Sequence, residues 1–358
     1  MGGEDASADG ASPRERGRMH GESCRADIHA IAGIRLELAV SQGRLESDRQ
    51  VLEVARAHLP VLEAFDRSLS EELFGIAEGA DLDPARVVVL NHYTDLKDLG
   101  PAALEGLAHD EDCSAAAART PSGVVLGQTW DMHGSAAPFV TMLHVPEHEG
   151  RPAAWLLSIT GCLGMAGMNA AGVGVTINNL RSDDARVGVI WPALVRRMLA
   201  EREAEAAKHV LLTAPMSSGH HYLIASATRA YGVETSGVLK SVVFESRWAE
   251  DEAYVHTNHC VGPEVAAVSS IAATSTTRER YAWLTRSVAE RPLAGAMDLF
   301  RRLGSHEGYP RSVCTHLASE AEPHAMLTCA GVVMDLSAKR LWAAPGCIHG
   351  ATPTELEL

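Results

Sequence analysis

From Arg25 to about Leu99 the buried-type positions recur at helical spacing, first as Ile28, Ile31, Ile34 and Leu38, then as Val51, Leu52, Ala55, His58 and Leu59. Residues three and four apart share one helix face, so this stretch predicts several consecutive helices, each with a stripe turned inward. Asp83 followed by Pro84 places an N-cap residue and a first-turn proline ahead of ARVVVLNHY, which predicts a helix to about Tyr93. Between Lys97 and Asp112 the pattern lapses into PAALEGLAHDED, the composition of a solvated loop.

At Cys113 the period changes. Short runs over 113–119, 124–130, 138–145, 153–159, 163–168 and 172–178 are separated by turn residues such as Pro121-Ser122-Gly123, the signature of an antiparallel sheet. Helix returns from Ile190 to Leu212, and strands resume from Tyr222 to about His256. A helical pair then covers Thr276 to Leu303, and two strands near 325–336 and 340–344 close the sequence. Alternating blocks of this kind define an α+β class in which sheets pack face to face between helices.

Composition narrows the function. The 358 residues are 46% hydrophobic, enough apolar material for a large core without disulfide staples. A formal charge of −15 disfavours the counterion release that drives binding to nucleic acid or anionic lipid, so neither a nucleic-acid nor a membrane partner is expected. Seven cysteines without a CxxC pair fit a reducing compartment, and the polar N-terminus shows no apolar leader, so a cytoplasmic location is expected. Residues 1–11, rich in Gly, Asp, Ser and Ala, are expected to be a disordered lead-in. Ala153 to Ile177 is long and apolar, but its five glycines and the Asn169–Gly172 break suit two buried strands better than a membrane span.

Cys113 stands where the acidic loop meets the first strand, followed by the small residues Ser114 to Ala118. A hairpin turning at 121–123 returns its second strand beside the start of the first, which brings Asp131 toward Cys113 as a carboxylate able to orient an amine. A strand-end aspartate serving a turn or cap accounts for Asp131 equally well. In His256-Thr257-Asn258-His259 the Asn258 amide could donate to a developing oxyanion, although turn-bound asparagines are commoner after strands. His256 and His259 lack a carboxylate partner, so neither a metal nor a cofactor is expected. Trp130 and His133 are further candidates for lining a substrate site, Trp130 equally as a core residue, and Ser236 is one too, although a strand-end serine is more commonly a turn residue.

The order and spacing of several pieces resemble the isopenicillin N acyltransferase family of cysteine N-terminal nucleophile hydrolases. They are Ser12 to Gly17 with His20-Gly21, Val89-Leu90-Asn91, Thr94-Asp95, Asp112-Cys113-Ser114, GQTWDM, Met168 to Val173, Tyr231 to Glu234, HTNHC, and Tyr309-Pro310 with Ser312-Val313-Cys314. The resemblance implies a four-layer αββα sandwich with antiparallel sheets. It also implies a precursor that cleaves its own Asp112–Cys113 bond, leaving a helical α chain (residues 12–112 after the lead-in) and a β chain (113–358) associated in one compact domain. Cys113, Asp131 and Asn258 then fall on the family's nucleophile, carboxylate and oxyanion positions. The implied activity is hydrolysis or transfer of acyl groups from small N-acyl amides or acyl thioesters, acyl-CoA among them, through a Cys113 thioester. The chain departs from the family where Asp112 precedes the nucleophile in place of glycine, where His324-Ala325 stands for a Ser-Arg pair, and where Thr315 replaces an arginine. Two rival readings remain: a non-catalytic binding or assembly module on the same fold, and an unprocessed cysteine amidase using His133 as base.

Overall fold

The computed structural model describes residues 10–99 and 113–358. Residues 1–9 of the expected lead-in, and Asp112 with the loop before it, lie outside the described residues. Five helices come first: α1 (Pro13–Ser23), α2 (Arg25–Ser41), α3 (Asp48–Phe65), α4 (Arg67–Ala80) and α5 (Pro84–Asp98). Side-chain caps start four of them, with Ser12, Ser47, Asp66 and Asp83 accepting from the backbone amides of Glu15, Gln50, Leu69 and Ala85. Each cap satisfies one of the amides that a helix start leaves without a partner.

Six strands follow: β1 (Ala115–Thr120), β2 (Gly123–His133), β3 (Val140–Val145), β4 (Ala154–Ile159), β5 (Ala166–Asn169) and β6 (Gly174–Ser182). Next come α6 (Trp191–Met198) and α7 (Ala204–Thr213), then β7 (Gly219–Ala225), β8 (Ala230–Thr235), β9 (Lys240–Ser246) and β10 (Ala253–His256). A short α8 (Pro263–Ala266) and β11 (Ser269–Ser270) lead to α9 (Thr277–Glu290) and α10 (Ala296–Leu303). The last strands are β12 (Met326–Asp335), β13 (Arg340–Pro345) and β14 (Thr354–Glu357).

The strands form two antiparallel sheets, one in the order β10-β1-β2-β12-β13-β14 and one in the order β3-β4-β5-β6-β7-β8-β9, with β11 paired to β6. They pack face to face, and Gln128 of β2 spans the gap by accepting a hydrogen bond from the Ile177 amide of β6 at 2.7 Å. Helices α9 and α10 cover the outer face of the first sheet through a core containing Val125, Leu299, Phe300 and Val333. Helices α5 and α7 lie against the second sheet. The layers are therefore helix, sheet, sheet, helix, as the resemblance implied.

A third strand, β14, closes the chain where the sequence reading had two, and two other differences have a clear cause. The helix expected over 190–212 is two helices, because the Asn169 amide donates to the carbonyls of Leu199 and Glu201, both at 2.7 Å, where a continuous helix would need them. Helix α5 runs past Tyr93 to Asp98, with non-helical dihedrals at His92. Buried bonds from His92 to Ser217 and from Asp95 to His220 anchor that extra turn to the chain around β7.

Helices α1 and α4 touch backbone to backbone. A Cβ added to Gly17 or Gly21 would meet the carbonyl oxygen of Glu72 or Ile76 at 2.0 and 2.4 Å, and one on Gly75 or Gly79 would meet Arg14 or Arg18 in the same way at 2.1 Å. Only glycine permits such an approach. Gly17→Ala is expected to cost about 3 kcal/mol or more, since a backbone cannot yield as a side chain does. Urea denaturation checks this, and an unchanged midpoint would show that the two helices do not meet here.

Candidate active site

Cys113 lies two residues before the start of β1, almost fully buried and not in a disulfide. The β1–β2 register opposes Ala115 to Gln128, and the Thr129 amide continues it by donating to the Ser114 carbonyl at 2.9 Å. The next step along both strands brings the Cys113 Sγ to 3.8 Å from the Asp131 carbonyl oxygen. The hairpin thus brings Cys113 and Asp131 together, for the reason read from the turn residues.

The Asp131 carboxylate is fully buried and fixed from two sides. Thr328 donates to Oδ1 at 2.7 Å and Thr129 donates to Oδ2 at 3.2 Å. Thr328 reaches this position because the β2–β12 register shifts between Thr328 and Ala330, opposing Asp131 to Thr328 and Trp130 to Ala330. A bulge re-aims the side chains beside it.

Asn258 joins the same site through a residue the sequence reading did not single out. Arg280 of α9, about 1% exposed, donates from Nη1 to the Cys113 carbonyl at 2.8 Å and to Ser114 Oγ at 2.9 Å, and from Nη2 to Asn258 Oδ1 at 3.2 Å. Its Nε donates to Thr276 at 2.9 Å, which sets the plane of the fork. The Asn258 amide nitrogen donates to the Asn179 carbonyl at 3.0 Å, and the Asn258 backbone amide to Thr277 Oγ1 at 2.8 Å. One amide hydrogen is committed to Asn179, which leaves a second for another acceptor. In TTRERYAWL nothing separates Arg280 from a solvated helix arginine; only its burial distinguishes it.

His133 shares a face of β2 with Asp131 and bonds Ser135 through Nδ1 at 2.7 Å, while Ser135 in turn bonds His324 Nδ1 at 2.7 Å. Burial holds the His133 imidazole well below its ordinary pKa, with the Arg35 and Lys97 charges adding to the effect. Its Nε2 has no hydrogen-bond partner. Trp130 points to the opposite face of β2, into the core shared with Leu126 and Met132. Ser236 lies at the turn after β8, where it donates to Asp184 at 2.7 Å and accepts from the amides of Val238 and Leu239. Contrary to the sequence reading, His256 does have a carboxylate partner, Glu234 at 2.9 Å on β8, which packing rather than chain order brings to it; His259 bonds Thr277 at 3.0 Å, so the two histidines serve separate partners. Burial pushes His259 down to about 4.

The αββα sandwich thus sets a thiol near the head of a strand, close to the buried Asp131 and to an arginine-held asparagine, a set of groups suited to acyl transfer or amide hydrolysis. The chain belongs to the acyl-coenzyme A:6-aminopenicillanic acid acyl-transferase family, which it matches over residues 118–346. That span contains Asp131, Asn258 and Arg280. The chain is also 26% identical over 315 residues to the acyl-coenzyme A:6-aminopenicillanic-acid-acyltransferase 40 kDa form of Emericella nidulans, covering 85% of this chain and 82% of the relative. Among solved structures it is similar to a mutant conjugated bile acid hydrolase from Clostridium perfringens at a TM-score of 0.46 and 12% identity, over 69% of this chain and 97% of the other. Penicillin V acylase from Agrobacterium tumefaciens is similar at 0.38 and 12%, over 68% and 84%.

Proposed function

We propose that the protein matures by cutting its Asp112–Cys113 bond and then uses Cys113 to transfer or hydrolyse acyl groups from small N-acyl amides or acyl thioesters. In maturation the Cys113 sulfur attacks the Asp112 carbonyl carbon and the C–N bond between the two residues breaks. The nitrogen takes up a proton to become the α-amine of Cys113. Water then opens the thioester, releasing the Asp112 carboxylate and the thiol. An α-amine has a reference pKa of about 7.7–8.0, so it can accept the thiol proton near neutral pH, and nucleophile and base share one residue.

In turnover the thiolate attacks the substrate carbonyl, the leaving amine or thiol departs with a proton, and water or an acceptor amine takes the acyl group from sulfur. Asp131 would orient the α-amine, and the second Asn258 amide hydrogen would meet the oxyanion. Acyl-CoA fits as a thioester donor, in keeping with the name of the fungal relative. The observation that carries this reading is Arg280 bridging the Cys113 carbonyl and the Asn258 amide, since it couples nucleophile to oxyanion donor in one buried fork. The partnerless, weakly basic His133 Nε2 favours the α-amine over histidine as base.

No helix among the described residues is long and apolar enough to cross a membrane. We place the protein in the cytoplasm on its seven cysteines without a CxxC pair. Intact-mass analysis of purified protein should find chains of 112 and 246 residues that co-elute on gel filtration. A panel of N-acyl amino acids and acyl-CoA, with and without acceptor amines, then separates hydrolysis from transfer. A single uncut chain with full activity would overturn the maturation step and restore the unprocessed cysteine reading; a single uncut chain inert to the whole panel would favour a binding module.

A further inference from the structure

The structure assigns a second site, apart from the first, in which His306, Cys314, His316 and Cys347 form a four-ligand cage for a zinc ion. Their ligand atoms all lie within 4.8 Å of one another. Cys314 Sγ is 3.5 Å from His316 Nε2 and 3.8 Å from Cys347 Sγ, and Cys347 Sγ is 3.4 Å from His306 Nε2. Zinc bonds of about 2.3 Å to sulfur and 2.0–2.1 Å to nitrogen, arranged tetrahedrally, require S···S near about 3.8 Å and S···N near about 3.6 Å. These three pairs already stand close to those separations, and the whole set lies within 4.8 Å.

The ligands come from three places that the fold pins together. His306 follows α10, Cys314 and His316 precede β12, and Cys347 sits in the turn after β13. The Cys314 amide donates to the Ser305 carbonyl at 3.1 Å, the His316 amide to Pro310 at 2.8 Å, and the Gly346 amide to Cys329 at 2.7 Å. His349 stacks on His306 at 4.0 Å and bonds the Gly304 carbonyl at 2.8 Å, steadying the His306 ring. Two thiolates and two neutral imidazoles neutralise Zn²⁺, so no further counter-charge is required, and binding releases the two thiol protons to solvent. Four protein ligands leave no open position, which makes the ion structural rather than catalytic. Sequence inspection missed the set because its spacing is long and it holds no CxxC pair.

The cage also reaches the first site. Between Cys314 and His316, the Thr315 amide donates to Thr328 Oγ1 at 2.8 Å, and that hydroxyl donates to Asp131 Oδ1 at 2.7 Å. An ion holding the ends of this segment braces the Asp131 carboxylate through one threonine.

The test is metal analysis of the full-length protein after dialysis against metal-free buffer, followed by Co²⁺ addition to the chelator-stripped protein. About one zinc per chain and the intense visible bands of a tetrahedral S₂N₂ cobalt site are expected. Cys347→Ser, at an exposed position, should lower zinc affinity at least about 100-fold, beyond the 10–100-fold of losing an outer-shell partner, while Cys24→Ser leaves it intact. Zinc bound equally by wild type and Cys347→Ser, an octahedral cobalt spectrum, or a Cys314–Cys347 disulfide in peptide mapping of freshly purified protein would each overturn the assignment. Metal content and chain scission are read separately, so either proposal can fail without the other.

Discussion

Cys113→Ala protein should run as one 38.1 kDa chain and show no turnover of any acyl substrate, with its thermal midpoint close to that of a correctly folded precursor. The substitution removes only a sulfur from a site whose backbone is held by Arg280 at the Cys113 carbonyl and by Thr129 at the Ser114 amide, so the fold should survive it. Chemistry should not. Removing a nucleophile in comparable acyl-transfer enzymes costs on the order of 10⁶-fold in kcat, because the residual rate rests on binding and oxyanion stabilisation alone. Supplying the two segments as separately expressed chains, the second beginning at Cys113, should restore turnover without any scission. Recovery there, with none from a second chain carrying alanine first, isolates catalysis from maturation. Scission or turnover by the single-chain alanine variant would remove Cys113 from the mechanism.

Asn258→Ala is the second large effect. Loss of one oxyanion donor typically costs about 10²–10³ in kcat, or roughly 2.7–4 kcal/mol of transition-state stabilisation. Such a loss should fall on kcat with KM little changed, since the interaction strengthens only as charge develops on oxygen. Because Asn258 Oδ1 also accepts from Arg280, the variant leaves one guanidinium hydrogen without that acceptor, and Arg280→Lys offers the contrast. Lysine keeps a charge but loses the planar fork that spans the Cys113 carbonyl and Asn258 together. Steady-state kinetics of processed protein should therefore find both variants slow. A kcat within a few-fold of wild type for Asn258→Ala would remove it from the oxyanion site.

Much of the architecture was legible in the order of residues because it is local. The helical spacing through Ile28, Ile31 and Leu38, the Asp83-Pro84 start and the hairpin turn after Thr120 depend on neighbours in the chain, whose periods and dihedral preferences act wherever they occur. The proximity of Cys113 to Asp131 is of the same kind, since one tight turn carries it. The break between α6 and α7 was not legible, because it comes from Asn169, about thirty positions away, bonding the carbonyls that would have continued the helix.

What residue order alone settled is most of the helices and strands and one hairpin with a thiol and a carboxylate at its open end. Packing decided the rest: Arg280 reaches Cys113 and Asn258 only because α9 lies on the outer face of the first sheet, and Thr328 meets Asp131 only because β12 carries a bulge. The zinc cage likewise gathers His306, Cys314, His316 and Cys347 from three turns. Such contacts join residues tens to hundreds of positions apart. No periodicity records them, because the free energy that selects them is burial shared across layers rather than any preference of the local chain.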